Sequence, residues 1–363
     1  MVWGKAITGA SVYLILCSLL GVVFVWTLPR GIGLNVVAIL ALISISALSP
    51  ASGLWLVCTS LITVLIVRHY RAKKFRGIVV SSYSIILVFL LFASREMSNL
   101  FWVGGAYFTL RHLHVLLEWW MGRLQIPTIG EYLKYNLFLP VLMAGPIHRL
   151  DNFQRQVRRQ RITAANIFNG AERALFGLAQ AVVVPAALVQ LQMASAAYIE
   201  SWNLFLQHWI EGGFEWLQLF FSFAGLTSLA LGLSLMMGLK IEENFNRPWA
   251  ARNLIDFWSR WHMTLSNWCR DYVFYPITAI TRLPIIGLLM AMLAMGLWHD
   301  SSAYYVLWAV WQSLGIFMTH VALRFPSALR SGHLKQIIGA VSVYLWLSLT
   351  KPVVLQFLDL ITI

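Results

Sequence analysis

Apolar residues in this chain come in long runs separated by short polar breaks, and the length of those runs sets the first expectation. A bilayer core about 30 Å thick is crossed by roughly 20 apolar residues in helical form. Ile7–Leu28, Ile32–Ser49, Ala51–Val67, Ile78–Ala93 and Leu100–Met121 meet or approach that length. So do Ile167–Ala194, Phe214–Leu239, Leu283–Trp298, Ala303–Leu323 and Ile337–Leu349. The pattern predicts an all-α, polytopic integral membrane protein with about ten transmembrane helices. The first run is longer than the roughly 7–15 residues of a signal-peptide core, and no A-x-A site follows it, so it is expected to stay as a helix.

Composition agrees with the pattern. Hydrophobic residues make up 59% of the 363 positions and Asp, Glu, Lys and Arg only 11%. A soluble domain is about 25% charged and could not hide this much apolar surface. The net charge of +13 does not point to nucleic acid, because the basic residues sit in the breaks. Arg68, Arg71, Lys73, Lys74 and Arg76 form one cluster, and Arg149, Arg155, Arg158, Arg159 and Arg161 another. That is how positive-inside bias appears in a sequence, with anionic lipid headgroups as the natural contact. Cys17, Cys58 and Cys269 show neither metal-ligand spacing nor a disulfide framework.

One membrane domain, 1–363, without a long soluble linker is expected. With both basic clusters cytoplasmic, two runs separate them, and a crossing at Tyr132–Ile147 would break the parity. That segment holds Pro140, Gly145 and Pro146, and a re-entrant path that does not cross resolves the conflict, since irregular backbone is tolerated where protein surrounds it. Gln154–Arg161 is too polar to span and is expected to lie in the interface with Phe153 and Val157 inserted. The same count leaves Lys240–Arg282 inside and His299 near an outer end.

The least membrane-like stretch is EENFNRPWAARNLIDFWSRWHMTLSNWCRDYVFYP, Glu242 to Pro276. Pro248 suits a first helical turn, and Asn253 or Asp256 suits the cap of the next helix. A helix over Asp256–Tyr272 would place Trp258, Trp261, Leu265, Trp268 and Tyr272 on one face, with His262 at its edge. An interfacial helix with an aromatic belt explains the tryptophans and arginines, and a lone helical His is more often a packing residue than a catalyst. Neither explains the Asn/Arg/Asp density around His262. His299 ends an apolar run, where an ionisable group is a functional hypothesis by default; a helix-end His reaching interfacial water is the plain alternative. His148, after the Gly145-Pro146 turn, is a weaker candidate, and His112 and His114 read as core. No Walker loop, GxGxxG, GxSxG or HExxH motif is present.

Taken together, ENFNRPW, FWSRWHMTLSNWCRDY and GLWH, with GGAYFTL and AGPIHR before them, resemble the bacterial membrane-bound O-acyltransferase (MBOAT) family. The resemblance runs from about Gly104 to about Thr319. Members of that family include the alginate O-acetyltransferases and the D-alanyl transfer proteins of teichoic acid synthesis. The resemblance implies a ring of helices, with re-entrant and interfacial pieces, around a tunnel, and a multi-pass place in the bacterial inner membrane. It implies His299 and His262 as catalytic positions, with Asn244, Asn246, Arg260, Trp261 and Trp298 toward the substrates. His299 would accept the proton of a hydroxyl attacking an acyl thioester; a covalent route through Cys269 stays open. No cofactor is expected to stay bound. The donor would be acetyl-CoA or an acyl-carrier protein, and a separate extracytoplasmic partner protein would handle the acceptor. The first expectation is acetylation of an envelope polysaccharide. D-alanyl transfer is the alternative within the class, and a transporter or an inactive scaffold the alternative outside it. Asp300 stands where the family usually has Gly, and Ser222–Gly232, SFAGLTSLALG, lacks both acidic residues of the corresponding family stretch.

A cysteine placed in either basic cluster is expected to resist membrane-impermeant maleimide added outside intact cells; labelling there would overturn the topology.

Overall fold

The computed structural model describes residues 9–70, 73–96, 104–142, 144–325 and 333–362. Arg71, Arg330 and the first residues of the runs beginning at Ile7 and Leu100 lie outside these. All regular structure among the described residues is helical. Six stretches are long and apolar enough to cross a membrane: Gly9–Thr27, Pro50–His69, Phe75–Ser94, Ala164–Ala196, Leu204–Met236 and Gln336–Ile361. Ile32–Leu48 and Pro284–His299 are shorter apolar helices. Among the described residues, length and composition therefore do not confirm the expected count of ten. The run containing Gly105–Trp120 carries Arg111, His112, His114 and Glu118, and Ala303–Ala322 carries Gln312 and His320. The last run does not stop at Leu349: a further helix, Thr350–Thr362, follows.

The described residues group into two compact units, one on Lys5–Ala181 with Gly225–Glu242, the other on Val182–Ala224 with Glu243–Ile363. In the first, polar side chains tie apolar helices together. His112 Nδ1 lies 2.7 Å from the Tyr132 hydroxyl and 3.3 Å from Thr63 Oγ1. Tyr83 donates to the Thr59 carbonyl at 3.2 Å, and Asn136 Nδ2 to Ser60 Oγ at 3.1 Å. His112 and His114 are core residues, as expected.

The stretch Tyr132–Ile147 forms no spanning helix. A capping box of Thr128 and Glu131 starts the helix Ile129–Asn136, and Pro140 sits in a single 3-10 turn, Leu139–Val141. Nearly all of this irregular backbone is buried in protein, which is where non-helical chain is tolerated. The next helix, Leu150–Arg158, differs from expectation. Phe153 does not enter lipid: it is buried against His148, Phe138 and Tyr135, at ring distances of 5.2, 5.3 and 5.9 Å. The re-entrant segment offers an aromatic pocket that hydrocarbon cannot match, so the apolar face of the helix is consumed by protein.

Close helix packing in this unit depends on small residues at seven-residue spacing. A Cβ added to Gly225 would lie 2.5 Å from the Ala181 nitrogen and the Gly177 oxygen, and one on Gly232 2.5 Å from the Gly170 oxygen. Such glycines let backbones approach where lipid gives no hydrophobic drive between helices. Gly225→Leu is expected to cost about 1–3 kcal/mol or more through overpacking, read as a lower melting temperature in detergent. Gly130→Ala, whose added Cβ meets nothing within 4 Å, is the control expected to melt like the parent.

Candidate functional site

The site is built on a break in a helix. The sequence favours one helix over Asp256–Tyr272; the chain instead forms Leu254–Trp258, then Met263–Cys269, a wider π-helical turn at Arg270–Phe274, and Tyr275–Thr281. His262 stands at the break with φ 42° and ψ 51°. This left-handed conformation costs a residue with a Cβ on the order of 1–2 kcal/mol, so something must hold it. The extended segment around Asn244 does. The Asn246 amide donates to the Arg260 carbonyl at 3.0 Å, and the Met263 amide donates to the Asn244 carbonyl at 2.8 Å. Asn244 Oδ1 also accepts from Thr264 Oγ1 at 2.5 Å. His262 is thus clamped on both sides by backbone pairing, and the aromatic stripe expected along one continuous helix does not form.

The clamp buries the imidazole. His262 is 2% exposed, with its ring 4.7 Å from Phe223 and 5.6 Å from Trp298. Its Nε2 and the Asn244 Nδ2 are buried without a hydrogen-bond partner. Burial holds the His262 imidazole well below its usual pKa, with a smaller push from His299, so the ring is neutral.

His299 closes the helix Pro284–His299 and is half-buried. Its ring stacks on Tyr305 at 5.5 Å and 18°, and lies 4.8 Å from Trp298 and 6.1 Å from Trp308. Gly296 allows this: a Cβ there would sit 2.6 Å from the Tyr305 carbonyl oxygen. The glycine of the GLWH motif therefore lets the next helix, Ala303–Ala322, bring Tyr305 against the imidazole.

Of the residues singled out from the sequence, His262, Trp298 and His299 form one contiguous group, with Trp298 in ring contact with both imidazoles. Asn244 joins it through the clamp. Trp261 belongs to an aromatic stack with Phe245, Phe257 and Trp216. Arg260 forms an ion pair with Asp256 at 2.7 Å, and Asn253 caps the helix through the Asp256 amide. Asn246 is exposed, and its backbone does the clamping. Phe223, Tyr305 and Trp308 complete the surroundings; aromatic residues within apolar runs gave no signal of it. Trp258, whose ring meets Trp308 at 5.8 Å, keeps a buried indole N–H without a partner. Cys269 is 3% exposed, and burial pushes its thiol up to about 12, which removes the thiolate that a covalent route needs.

The family model described as MBOAT, membrane-bound O-acyltransferase family, matches residues 54–355. The chain is 27% identical over 316 residues to a teichoic acid D-alanyltransferase of Streptococcus thermophilus, covering 79% of this chain and 74% of that protein. It is 28% identical over 218 residues to the probable alginate O-acetylase AlgI of Pseudomonas aeruginosa, covering 58% of this chain and 41% of that protein. A peptidoglycan O-acetyltransferase of Helicobacter pylori is 29% identical over 199 residues, covering 52% and 37%. The chain thus spans less than half the length of the latter two.

Iodoacetamide at pH 7–8 is expected to leave Cys269 unmodified in the folded protein and to modify it on denaturation, as read by peptide mass; rapid modification of the folded form would restore the thiol as a nucleophile.

Proposed function

Because the chain belongs to the membrane-bound O-acyltransferase family, we propose that it transfers an acyl group from a thioester to a hydroxyl of a cell-envelope polymer. The observation that carries this reading is the pair of imidazoles on one tryptophan, His262 fully buried and His299 half-buried. His299, neutral, accepts the hydroxyl proton as the oxygen attacks the acyl carbon. The C–O bond forms, the C–S bond breaks, and the proton passes to the departing thiolate. A base so placed contributes about 10²–10⁴-fold. The unpartnered Asn244 Nδ2–H is a donor for the negative charge that develops on the acyl oxygen. His262, held neutral, orients the donor, and Trp298 spaces the two rings.

Acetyl from acetyl-CoA is the first donor proposed, with an envelope polysaccharide as acceptor and an extracytoplasmic partner protein delivering it. The protein would lie in the bacterial inner membrane, both basic clusters cytoplasmic, with the thioester entering from that side. D-alanyl transfer from a carrier protein is the second reading. It is favoured by the streptococcal D-alanyltransferase matching 79% of the chain, against 58% for the alginate O-acetylase.

Acyl transfer by purified protein in detergent tests the proposal. His299→Gln is expected to melt like the parent and to lose about 10²–10⁴-fold in rate, because an amide keeps hydrogen bonding but does not titrate near neutral pH. His262→Ala is expected to stay folded and lose most activity. Turnover of His299→Gln within a few-fold of the parent would remove His299 from the mechanism, and absence of turnover in the parent would point to a transporter or a scaffold.

A further inference from the structure

His299 is the last residue of the helix Pro284–His299, and the chain leaves the helix at once: Asp300 is extended, with φ −162° and ψ 153°. No further turn of the same helix follows to pack on the imidazole. The next helix, Ala303–Ala322, supplies what packs there. Gly296 and His299 are three residues apart and share a helix face. Tyr305 and Ala309 are four apart and share the facing one. A Cβ on Gly296 would lie 2.6 Å from the Tyr305 carbonyl oxygen and 3.5 Å from Ala309 Cβ, and Ala309 is fully buried. The small residues at 296 and 309 thus draw the two helices together one turn before the imidazole, and the Tyr305 ring is carried onto it.

Three rings meet that of His299, and they do so differently. Trp298 and Trp308 approach with interplanar angles of 72° and 74°. Tyr305 lies nearly parallel, at 18° and 5.5 Å between centroids. This is an offset stack, an arrangement that aromatic quadrupoles favour. Trp308 is held in turn by Trp258, at 5.8 Å and 86°.

The distinction bears on proton transfer. An imidazole takes up a proton at a ring nitrogen, through a lone pair in the plane of the ring. A neighbour on the face of the ring fixes that plane without occupying either nitrogen. A general base needs its nitrogen within about 2.6–3.2 Å of the oxygen whose proton it takes, so control of the plane is control of the reacting geometry.

We propose that Tyr305 is a positioning residue for His299: its stacked ring sets the plane in which the imidazole meets the attacking hydroxyl. The proposal rests on the acyl-transfer reading. It assigns the work to the ring of Tyr305 and none to its phenol hydroxyl.

The test uses full-length protein in detergent, with melting temperature as the check on folding. Tyr305→Leu, which removes the ring and keeps an apolar side chain, is expected to lower kcat about ten-fold or more and to leave KM within about two-fold. Tyr305→Phe, which keeps the ring, is expected to restore kcat to within about three-fold of the parent. Gly296→Ala leaves Tyr305 intact and pushes its backbone away; it is expected to lower kcat in the same direction, and it carries the test if Tyr305→Leu does not fold. Carbethoxylation of His299 by diethyl pyrocarbonate, located by peptide mass, reads the ring without turnover. It is expected to be at least about three-fold faster in Tyr305→Leu, where the stack of about 0.5–1.5 kcal/mol is lost, and unchanged in Tyr305→Phe. Parental turnover and carbethoxylation in folded Tyr305→Leu would overturn the proposal. So would a Tyr305→Phe protein as slow as Tyr305→Leu, which would assign the effect to the hydroxyl. Failure of the parent to turn over a thioester, with the carbethoxylation pattern as expected, would count against the acyl-transfer reading alone.

Discussion

Backbone hydrogen bonding is the constraint on which this structure depends. In hydrocarbon an unpaired N–H or C=O costs several kcal/mol, so a spanning segment is helical and irregular chain must be covered by protein. Two stretches leave the helical state inside otherwise apolar surroundings. Leu137–His148 is buried almost throughout and is satisfied locally, with the Tyr135 hydroxyl donating to the His148 carbonyl at 2.8 Å. The chain from Asn244 to Met263 is satisfied by pairing with itself, Asn246 to Arg260 and Met263 to Asn244. The second holds most of the residues that the sequence singled out, Asn244, Asn246, Arg260, Trp261 and His262. Regular helix buries imidazoles too, as at His112 and His114, but the break at His262 brings the backbone of Asn244 against the residues on either side of the ring.

The strain at His262 fits this logic. A left-handed histidine is unfavourable alone, and it persists because hydrogen bonds on both sides fix the backbone around it. Strain held in this way limits motion: the imidazole cannot relax toward water without breaking the pairing that ties Asn244 to Met263 and Thr264. Gly296 has the same role at the other imidazole, since only a residue without a side chain lets the Tyr305 backbone approach so closely.

How much was legible follows from which physics is local. Run length and composition reveal the helices and the membrane, because both depend on transfer of a whole segment into lipid. The proline at 140 and the Gly145-Pro146 pair reveal the non-spanning segment, because proline acts on its own backbone. The broken helix at His262 was not legible: Asp256–Tyr272 has good helical periodicity, and the competing partner, Asn244, lies some eighteen residues away in sequence. Phe153 was misread for the same reason. An amphipathic helix looks alike whether its apolar face meets lipid or an aromatic pocket, and only the fold supplies the pocket. Tyr305 and Trp308 were invisible because an aromatic residue in an apolar run looks like core.

The two imidazoles differ in burial, and the proposed division of their work follows from that difference. His262 is buried, so protonation there is penalised by burial and again by His299. A group that cannot readily charge is a poor proton carrier and a good fixed dipole. His299 is only half-buried, and its stack on Tyr305 leaves it near the end of a helix, where a positive charge is favoured by the helix dipole. A general base must take on charge in the transition state, and the helix C-terminus supports that charge without a buried carboxylate. Asp300, which follows His299 in the chain, accepts from the Ser301 amide at 2.7 Å. The proposed roles, His299 as base and His262 as the neutral orienting group, follow from the difference in burial of the two rings as well as from the motif in which each occurs.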